Sequence, residues 1–246
     1  MLRIVSPILA AVLAWVVLPA ADAHAVTGGD ELLRFSRPAV VSLQSVGRHV
    51  CGGTLISSTT VLTSASCTSS RNLQVRAHVH DLSRSDAEEN RSTTKVKTVH
   101  QHPDFDAATR LNDIAVLVLE GTVPNAQPAT LPAAGSVTPQ GTELLLAGWG
   151  ATTQDGPLSP VLNSVNVATG DPAACAAAYE LDGPGVLCVP PDEGKGACTG
   201  DTGGPAFTGR VLRAIQTVPG CGRPGQPTAL TAVSHYQEFI NRWTTR

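Results

Sequence analysis

The stretch from Gly194 to Pro205 constrains the fold of this chain more than any other part of the sequence. The segment Gly200–Pro205, shortly after Cys198, consists of three glycines, an aspartate, a threonine and a proline. Glycines at this density allow a backbone to turn sharply and to bring its amide N–H groups close to a ligand. The stretch therefore predicts a tight loop that faces a binding or active site.

The N-terminal segment has the pattern of an export signal. Arg3 precedes an uninterrupted apolar run over Ile8–Leu18, and Ala23–Ala25 fits an A-x-A cleavage site. The run is shorter than the roughly 20 apolar residues that a membrane-spanning helix needs. We predict a cleaved signal peptide over residues 1–25 and a secreted protein with no membrane attachment afterwards. A cut after Ala23 is the alternative, since Ala21–Ala23 also fits the cleavage pattern.

The charge of the chain argues against polyanion partners. The formal net charge is −3, and loss of Arg3 with Asp22 leaves it unchanged. No basic run or aromatic-interleaved basic stripe occurs, so we expect no nucleic-acid partner. The remaining segment, about 220 residues, is long enough for one large all-β domain or two small ones.

The cysteines indicate disulfides rather than a metal. An even number of six in an exported chain favours a disulfide framework, although six cysteines allow 15 connectivities. No C-x-x-C pair occurs, so we expect no metal site and no cofactor. The cysteines are Cys51, Cys67, Cys175, Cys188, Cys198 and Cys221.

Most of the chain reads as short strands. Apolar residues alternate with polar ones over Leu73–Val79, and similar runs occur before and after it. Ser83–Thr94 is polar and reads as an exposed hairpin loop whose acids, Asp86, Glu88 and Glu89, match no calcium-ligand spacing. The proline-rich segment 121–141 reads as a linker between two β units.

The C-terminal segment changes to helical periodicity. Apolar residues recur there at helical spacing, and Ser234 with Gln237 predicts a capping box. The apolar positions are Tyr236, Phe239, Ile240 and Trp243.

Five ordered blocks extend over the chain after residue 25. They are Val26–Gly29, Cys51–Ile56 continued by Thr63–Cys67, Leu111–Ala115, Ala147–Gly150 and Gly200–Pro205. Together they resemble the trypsin/chymotrypsin family of serine peptidases, in its bacterial trypsin-like branch.

The resemblance implies an all-β fold of two six-stranded antiparallel β-barrels with a C-terminal α-helix and a site between the barrels. It places the first barrel at about 26–123, the linker at about 124–140 and the second barrel with the helix at about 141–246. It also implies three disulfides, Cys51–Cys67, Cys175–Cys188 and Cys198–Cys221.

The resemblance also identifies a degenerate catalytic triad. Asp113 matches the family's aspartate, but Ser66 stands where the family has histidine and Thr202 stands where it has the nucleophilic serine. A serine hydroxyl is too weak a base to take the nucleophile's proton, and the methyl group of threonine crowds the reacting oxygen. His49, with Ser42, matches a pair that has a structural role in some family members.

Other parts of the family's site match. Gly200 and Thr202 stand at the oxyanion-hole amides, which do not depend on side chains. Asp201 stands where the family's buried aspartate pairs with a freed α-amino group, here that of Val26.

The specificity pocket is altered. Gly196 stands at the pocket floor where trypsin-like members have aspartate, so no preference for basic residues is implied. Val218 and Thr228 occupy wall positions that are usually glycine, as in elastase-type pockets, which leaves room for small side chains only. Drift after loss of catalysis is the alternative explanation.

These residues predict a secreted, catalytically inactive or severely impaired homologue, a monomer that binds a peptide, an inhibitor or a protein partner. The alternative is a weak serine endopeptidase that prefers small side chains. A structural secreted domain with an empty cleft is a third hypothesis.

Overall fold

The computed structural model describes residues 26–85, 91–191 and 194–244. The predicted signal peptide over 1–25 lies outside the described residues, as do Asp86, Glu88 and Glu89.

The first half of the chain forms a closed, six-stranded antiparallel barrel. After a two-residue strand, β1 Asp30–Glu31, its strands are β2 Val40–Ser45, β3 Arg48–Leu55, β4 Thr60–Thr63, β5 Gln74–Ala77, β6 Ser92–Gln101 and β7 Ala115–Leu119. They are hydrogen-bonded in the order β2-β3-β4-β7-β6-β5. Alternate residues of these strands point inward, so that Leu43, Leu55, Val75 and Leu117 are fully buried in one apolar cluster.

The second half forms a seven-stranded sheet, which β1 joins from the N-terminal side. Its other six strands are β8 Glu143–Gly148, β9 Asn163–Ala168, β10 Val186–Val189, β11 Pro205–Thr208, β12 Val211–Val218 and β13 Thr228–Ala232. The strand order is β1-β9-β8-β11-β12-β13-β10. Just after β9, the backbone N–H of Gly170 donates a hydrogen bond to the carbonyl of Cys188 in β10 at 2.8 Å, so the sheet curls towards closure.

The helices differ in part from the sequence predictions. The C-terminal helix is present as Gln237–Thr244, but it continues a 3₁₀ turn, Val233–Tyr236, that has no side-chain capping bond at its N-cap. The predicted capping box at Ser234 is therefore wrong. A second helix, Ala173–Tyr179, was not predicted, although its alanine-rich sequence favours a helix. Within the described ranges, no helix has the length and apolar character needed to span a bilayer.

The two units share an apolar interface. Side chains of both, including Leu62, Ile114, Trp149 and Ile215, are buried in one cluster. Trp149 Nε1 donates a hydrogen bond to the carbonyl of His80 across this interface at 3.0 Å. With the C-terminal helix beside them, the barrel and the second sheet confirm the predicted all-β fold and its helix.

The three disulfides are those implied by the family resemblance. Cys51–Cys67 lies in the first barrel, whereas Cys175–Cys188 and Cys198–Cys221 lie in the second unit. Every cysteine of the chain is paired.

Gly52 tests the contact between the two units. A Cβ atom on Gly52 would lie 2.6 Å from Gly204 Cα, whereas Gly121 has no neighbour within 4 Å. We expect Gly52→Ala to lower the free energy of unfolding by about 1–3 kcal/mol, because backbone rather than a flexible side chain must move. Gly121→Ala is the matched control and is expected to be neutral or stabilising by less than about 1 kcal/mol. Urea unfolding of both variants measures the difference, and equal values would contradict this account of the interface.

Candidate functional site

A cleft of about 530 Å³ lies between the two units. Ser66 and Arg110 line it from the first barrel, and Gly200, Thr202 and Val218 line it from the second unit. The structure thus brings Ser66, Gly200, Thr202 and Val218, four of the residues singled out in the sequence, to one surface.

Ser66 binds the buried carboxylate of Asp113 with both of its donors. It lies in the 3₁₀ turn Ala65–Thr68, which directs its backbone N–H to Asp113 Oδ1 at 2.7 Å and its hydroxyl to Oδ2 at 2.8 Å. Asp113 itself has no exposed surface and lies just before β7. The carboxylate is therefore satisfied by a residue that covers it on the cleft side.

Arg110 is the cation of the cleft. Its Nη1 lies 3.6 Å from Asp113 Oδ2, and 41% of its side chain is exposed while that of Asp113 is fully buried. Burial raises the pKa of Asp113, and the bonds from Ser66 and the charge of Arg110 oppose that rise. Arg110 is not among the site residues predicted from the sequence, although a cation three residues before a site aspartate is a signal that can be read there.

Asp201 organises the loop after Cys198 from below. Its carboxylate is fully buried and accepts hydrogen bonds from Gly150 N at 2.8 Å and Cys198 N at 2.9 Å. A Cβ on Gly148 or Gly150 would lie within 2.4 Å of this carboxylate, so both positions require glycine. Burial raises the pKa of Asp201 to about 7, against the opposing effect of the two amides.

The loop leaves two backbone donors facing the cleft. Gly200 has a φ of 96°, a conformation that favours glycine. Among the described residues, no acceptor takes a hydrogen bond from Gly200 N or Thr202 N, whereas the neighbouring amides of Asp201 and Gly203 are bonded. These two amides can bind a negatively polarised oxygen.

His49 supports this loop from behind. Its Nε2 donates to the carbonyl of Gly200 at 3.0 Å, and its Nδ1 accepts from the Ser42 hydroxyl at 2.8 Å. Burial lowers the pKa of His49 to about 4, so the ring is neutral at physiological pH. His49 therefore holds the carbonyl of Gly200 in position.

Thr202 is held by its backbone. Its carbonyl accepts a hydrogen bond from Gly52 N of the first barrel at 2.8 Å, and its side chain is half-buried at the cleft.

In the part of the chain that the structure describes, the cleft lining includes no histidine, and no group of three or more potential ligand side chains is placed to hold a metal ion.

The segment after residue 25 packs into the second unit. Val26 is fully buried beside Leu146 and Ala197, and Thr27 forms a β-bridge with Gly196. This contact places Val26 in the core that also contains Ala197 and Ala206, the residues on either side of the Asp201 loop. The pairing of a Val26 α-amino group with Asp201 stays a prediction.

The predicted pocket residues lie at different depths. Val218 lines the cleft, whereas Thr228 is buried and its Oγ1 accepts a hydrogen bond from Gly220 N at 3.3 Å. A Cβ on Gly196 would lie 3.2 Å from that same Oγ1, so these two residues pack closely behind the cleft. That the pocket admits only small side chains stays a prediction.

Comparison with known proteins identifies the family. The sequence profile of the family described as Trypsin matches residues 26–240. The chain belongs to the trypsin family. Human granzyme M is 34% identical over 235 residues, which cover 90% of each chain, and chicken trypsin I-P1 is 34% identical over 228 residues, which cover 89% of each.

Solved structures of the trypsin family agree with the fold. The structure of human heparin binding protein matches with a TM-score of 0.79 and 27% identity, over 90% of this chain and 97% of that one. The family assignment and the two-unit fold therefore rest on independent matches in sequence and in structure.

The buried Asp201 predicts how stability depends on pH in a trypsin-family chain that retains Ala25 before Val26. The carboxyl has a pKa of about 7 in the folded state and near 3.9 when unfolded, so the folded state binds the proton more tightly. The contribution of Asp201 to the free energy of unfolding is therefore expected to fall as pH rises from about 4 to about 7. The buried His49, with its lowered pKa, contributes a slope of the opposite sign over much of this range, so the Asp201 contribution is the difference between this chain and its Asp201→Asn variant. Urea unfolding across that range measures the slope.

Two further chains control this measurement. Asp201→Asn is expected to remove the downward contribution of Asp201 and to leave the upward slope that His49 contributes, because only one of the two titrating groups is lost. A chain that begins at Val26 is expected to lose the downward contribution as well, since a nearby ammonium group favours the carboxylate. Identical slopes in the chains with and without Ala25 would contradict the predicted pairing of Val26 with Asp201.

Proposed function

We propose that this protein is a non-catalytic member of the trypsin family that binds a peptide, an inhibitor or a protein partner in the cleft between its two units. One observation carries the proposal. The side chain that hydrogen-bonds the buried Asp113 at the cleft is the hydroxyl of Ser66, where peptide hydrolysis needs an imidazole.

The chemistry of Ser66 argues against catalysis. Its hydroxyl already donates to Asp113 Oδ2 at 2.8 Å, and a hydroxyl does not accept a proton at physiological pH. In an unrelated fold with the same triad chemistry, loss of the base costs on the order of 10⁶ in kcat and leaves roughly 10³–10⁴ over water. A chain without the base is expected to be a poor enzyme.

Thr202 argues in the same direction. Its β-branched side chain restricts χ1 and adds a methyl group at the reacting oxygen. Internal threonine lacks the terminal amine that activates threonine nucleophiles elsewhere. Because triad members act as one unit, this second substitution adds little to the loss caused by Ser66.

Retained features support binding. The cleft is open, and the amides of Gly200 and Thr202 remain available for a ligand oxygen. Gly196, Val218 and Thr228 support a preference for small side chains in such a ligand. A monomer without a cofactor is sufficient for this function.

The name of one structural neighbour, heparin binding protein, raises a polyanion as a ligand. The net charge of −3 gives no support for it in this chain, since polyanion binding depends on clustered positive charge. We therefore propose no heparin-like ligand.

Three disulfides support an oxidising, extracellular location. With the predicted signal peptide, they support a secreted protein. The set of three pairs also supports membership of the bacterial trypsin-like branch, although the relatives described above are vertebrate proteins.

A weak serine endopeptidase is the second candidate, and the two open amides of Gly200 and Thr202 favour it. A substrate that supplies its own histidine would provide the missing base. Proteolysis would then be confined to such substrates.

Reaction with a fluorophosphonate probe separates these two functions. We expect no labelling of the secreted protein, because no base activates the Thr202 hydroxyl. Mass spectrometry of the treated protein gives the result. Labelling at Thr202 would overturn the non-catalytic function.

Restoring the family residues tests whether only the triad was lost. We expect the double variant Ser66→His with Thr202→Ser to react with the probe, because Asp113 and the loop amides stay in place. Thr202→Ser alone is the control and is expected to stay unlabelled for lack of a base. A silent double variant would show that the cleft itself no longer admits a substrate.

N-terminal sequencing tests maturation. Cleavage after Ala25 exposes Val26 directly, so the secreted protein is expected to begin at Val26. A start at His24 would contradict this maturation step and leave Asp201 without its predicted partner.

A further inference from the structure

We infer that the cleft selects peptides that carry a carboxylate and that Arg110 is the residue that binds it. The inference rests on the proposed binding function and names the ligand class for the same site.

Charge in the cleft favours an anionic ligand. Among the described residues that line it, Arg110 carries the one formal charge. The nearest acid, Asp113, has no exposed surface and lies beneath Ser66, so its charge is not presented to a ligand. Gly196 adds no acid at the predicted pocket floor. A basic ligand therefore finds no accessible counter-charge, whereas an acidic one does.

Arg110 is free to bind a second carboxylate. Asp113 already accepts two bonds from Ser66, at 2.7 and 2.8 Å, and Arg110 Nη1 is more distant at 3.6 Å. The buried acid thus does not depend on the guanidinium for its hydrogen bonds. A guanidinium has five N–H donors in a planar fork and binds a carboxylate through two of them at once. With 41% of its side chain exposed, Arg110 presents this fork to the cleft.

The backbone at Arg110 also departs from the usual conformation. Its φ is 65°, which is uncommon for a residue other than glycine, and its N–H donates to Asp106 O at 2.8 Å. Such conformations cost free energy and are concentrated at functional sites. Here the conformation directs a cation to the cleft and to Asp113.

The opposite wall supplies further donors. The amides of Gly200 and Thr202 have no acceptor among the described residues, so both can donate a hydrogen bond to an oxygen atom of a ligand. Both walls thus favour acceptor-rich ligands. The protein has a net charge of −3 and therefore does not attract acidic peptides as a whole. A measured preference for acidic peptides would therefore come from the cleft itself.

The test uses the mature secreted protein and fluorescent alanine tetrapeptides with blocked ends, in which Glu is placed at each position in turn. We expect the best Glu peptide to bind about tenfold more tightly than its Gln isostere, a difference that declines as salt is added. Free-acid and amidated forms of an all-alanine peptide show whether a terminal carboxylate has the same effect. Anisotropy gives the dissociation constants.

Two variants assign the preference to Arg110. Arg110→Gln is expected to bind Glu and Gln peptides equally. Arg84→Gln is the matched control, since Arg84 also pairs with an aspartate three residues away, Asp81, is 51% exposed and lies outside the cleft lining. It is expected to keep the full preference.

Each result has a definite meaning. Equal affinity of the parent protein for Glu and Gln peptides and for the free-acid and amidated forms would overturn this inference while leaving the binding function in place, and this comparison does not depend on whether the variants fold. A preference that survives Arg110→Gln would also overturn it. Failure of all peptides to bind would overturn the inference together with peptide binding as the proposed function, and would leave only an inhibitor or a protein as the partner.

Discussion

A carboxylate without exposed surface, that of Asp201, is the constraint on which the site depends. Its desolvation is offset by the amides of Gly150 and Cys198, which come from separate parts of the second unit. Gly148 and Gly150 have no room for a side chain beside it. The turn from Cys198 onwards, with its open amides, is therefore held by hydrogen bonds to one acid rather than by the side chain of Thr202. The form of the loop therefore does not require a serine at position 202.

Asp113 is bound by the hydroxyl of Ser66, at the position where the family resemblance predicts an imidazole. Where an imidazole is present, the acid orients a base that must exchange protons. Here the acid binds both donors of Ser66 and has a cation nearby, a closed arrangement that has no need to release a proton. In the proposed binding function, this arrangement forms part of one wall of the cleft and has no proton to transfer.

Much of the fold was predictable because ordered sequence blocks fall at loops and strand ends where glycine, cysteine and aspartate have strict geometric roles. The disulfide Cys198–Cys221 agrees with expectation, and the strand Gln74–Ala77 lies within the predicted run Leu73–Val79. The capping box at Ser234 failed because the 3₁₀ turn begins at Val233 with Ala232 as its N-cap, so that Ser234 lies inside the turn. The spacing of Arg110 to Asp113 is visible in the sequence, but its left-handed backbone conformation and its place in the lining of a cleft between two units are not.

The location of the disulfides has a consequence for how the molecule comes apart. All three bonds join residues within one unit, so no covalent bond other than the main chain connects the two walls of the cleft. A single proteolytic nick between Leu119 and Glu143 would leave two fragments held together without a covalent bond, through the shared apolar interface, the pairing of β1 with β9, the packing of Val26 and bonds such as Gly52 N to Thr202 O. Such fragments would separate in denaturant without any reductant, and the cleft would be lost with them.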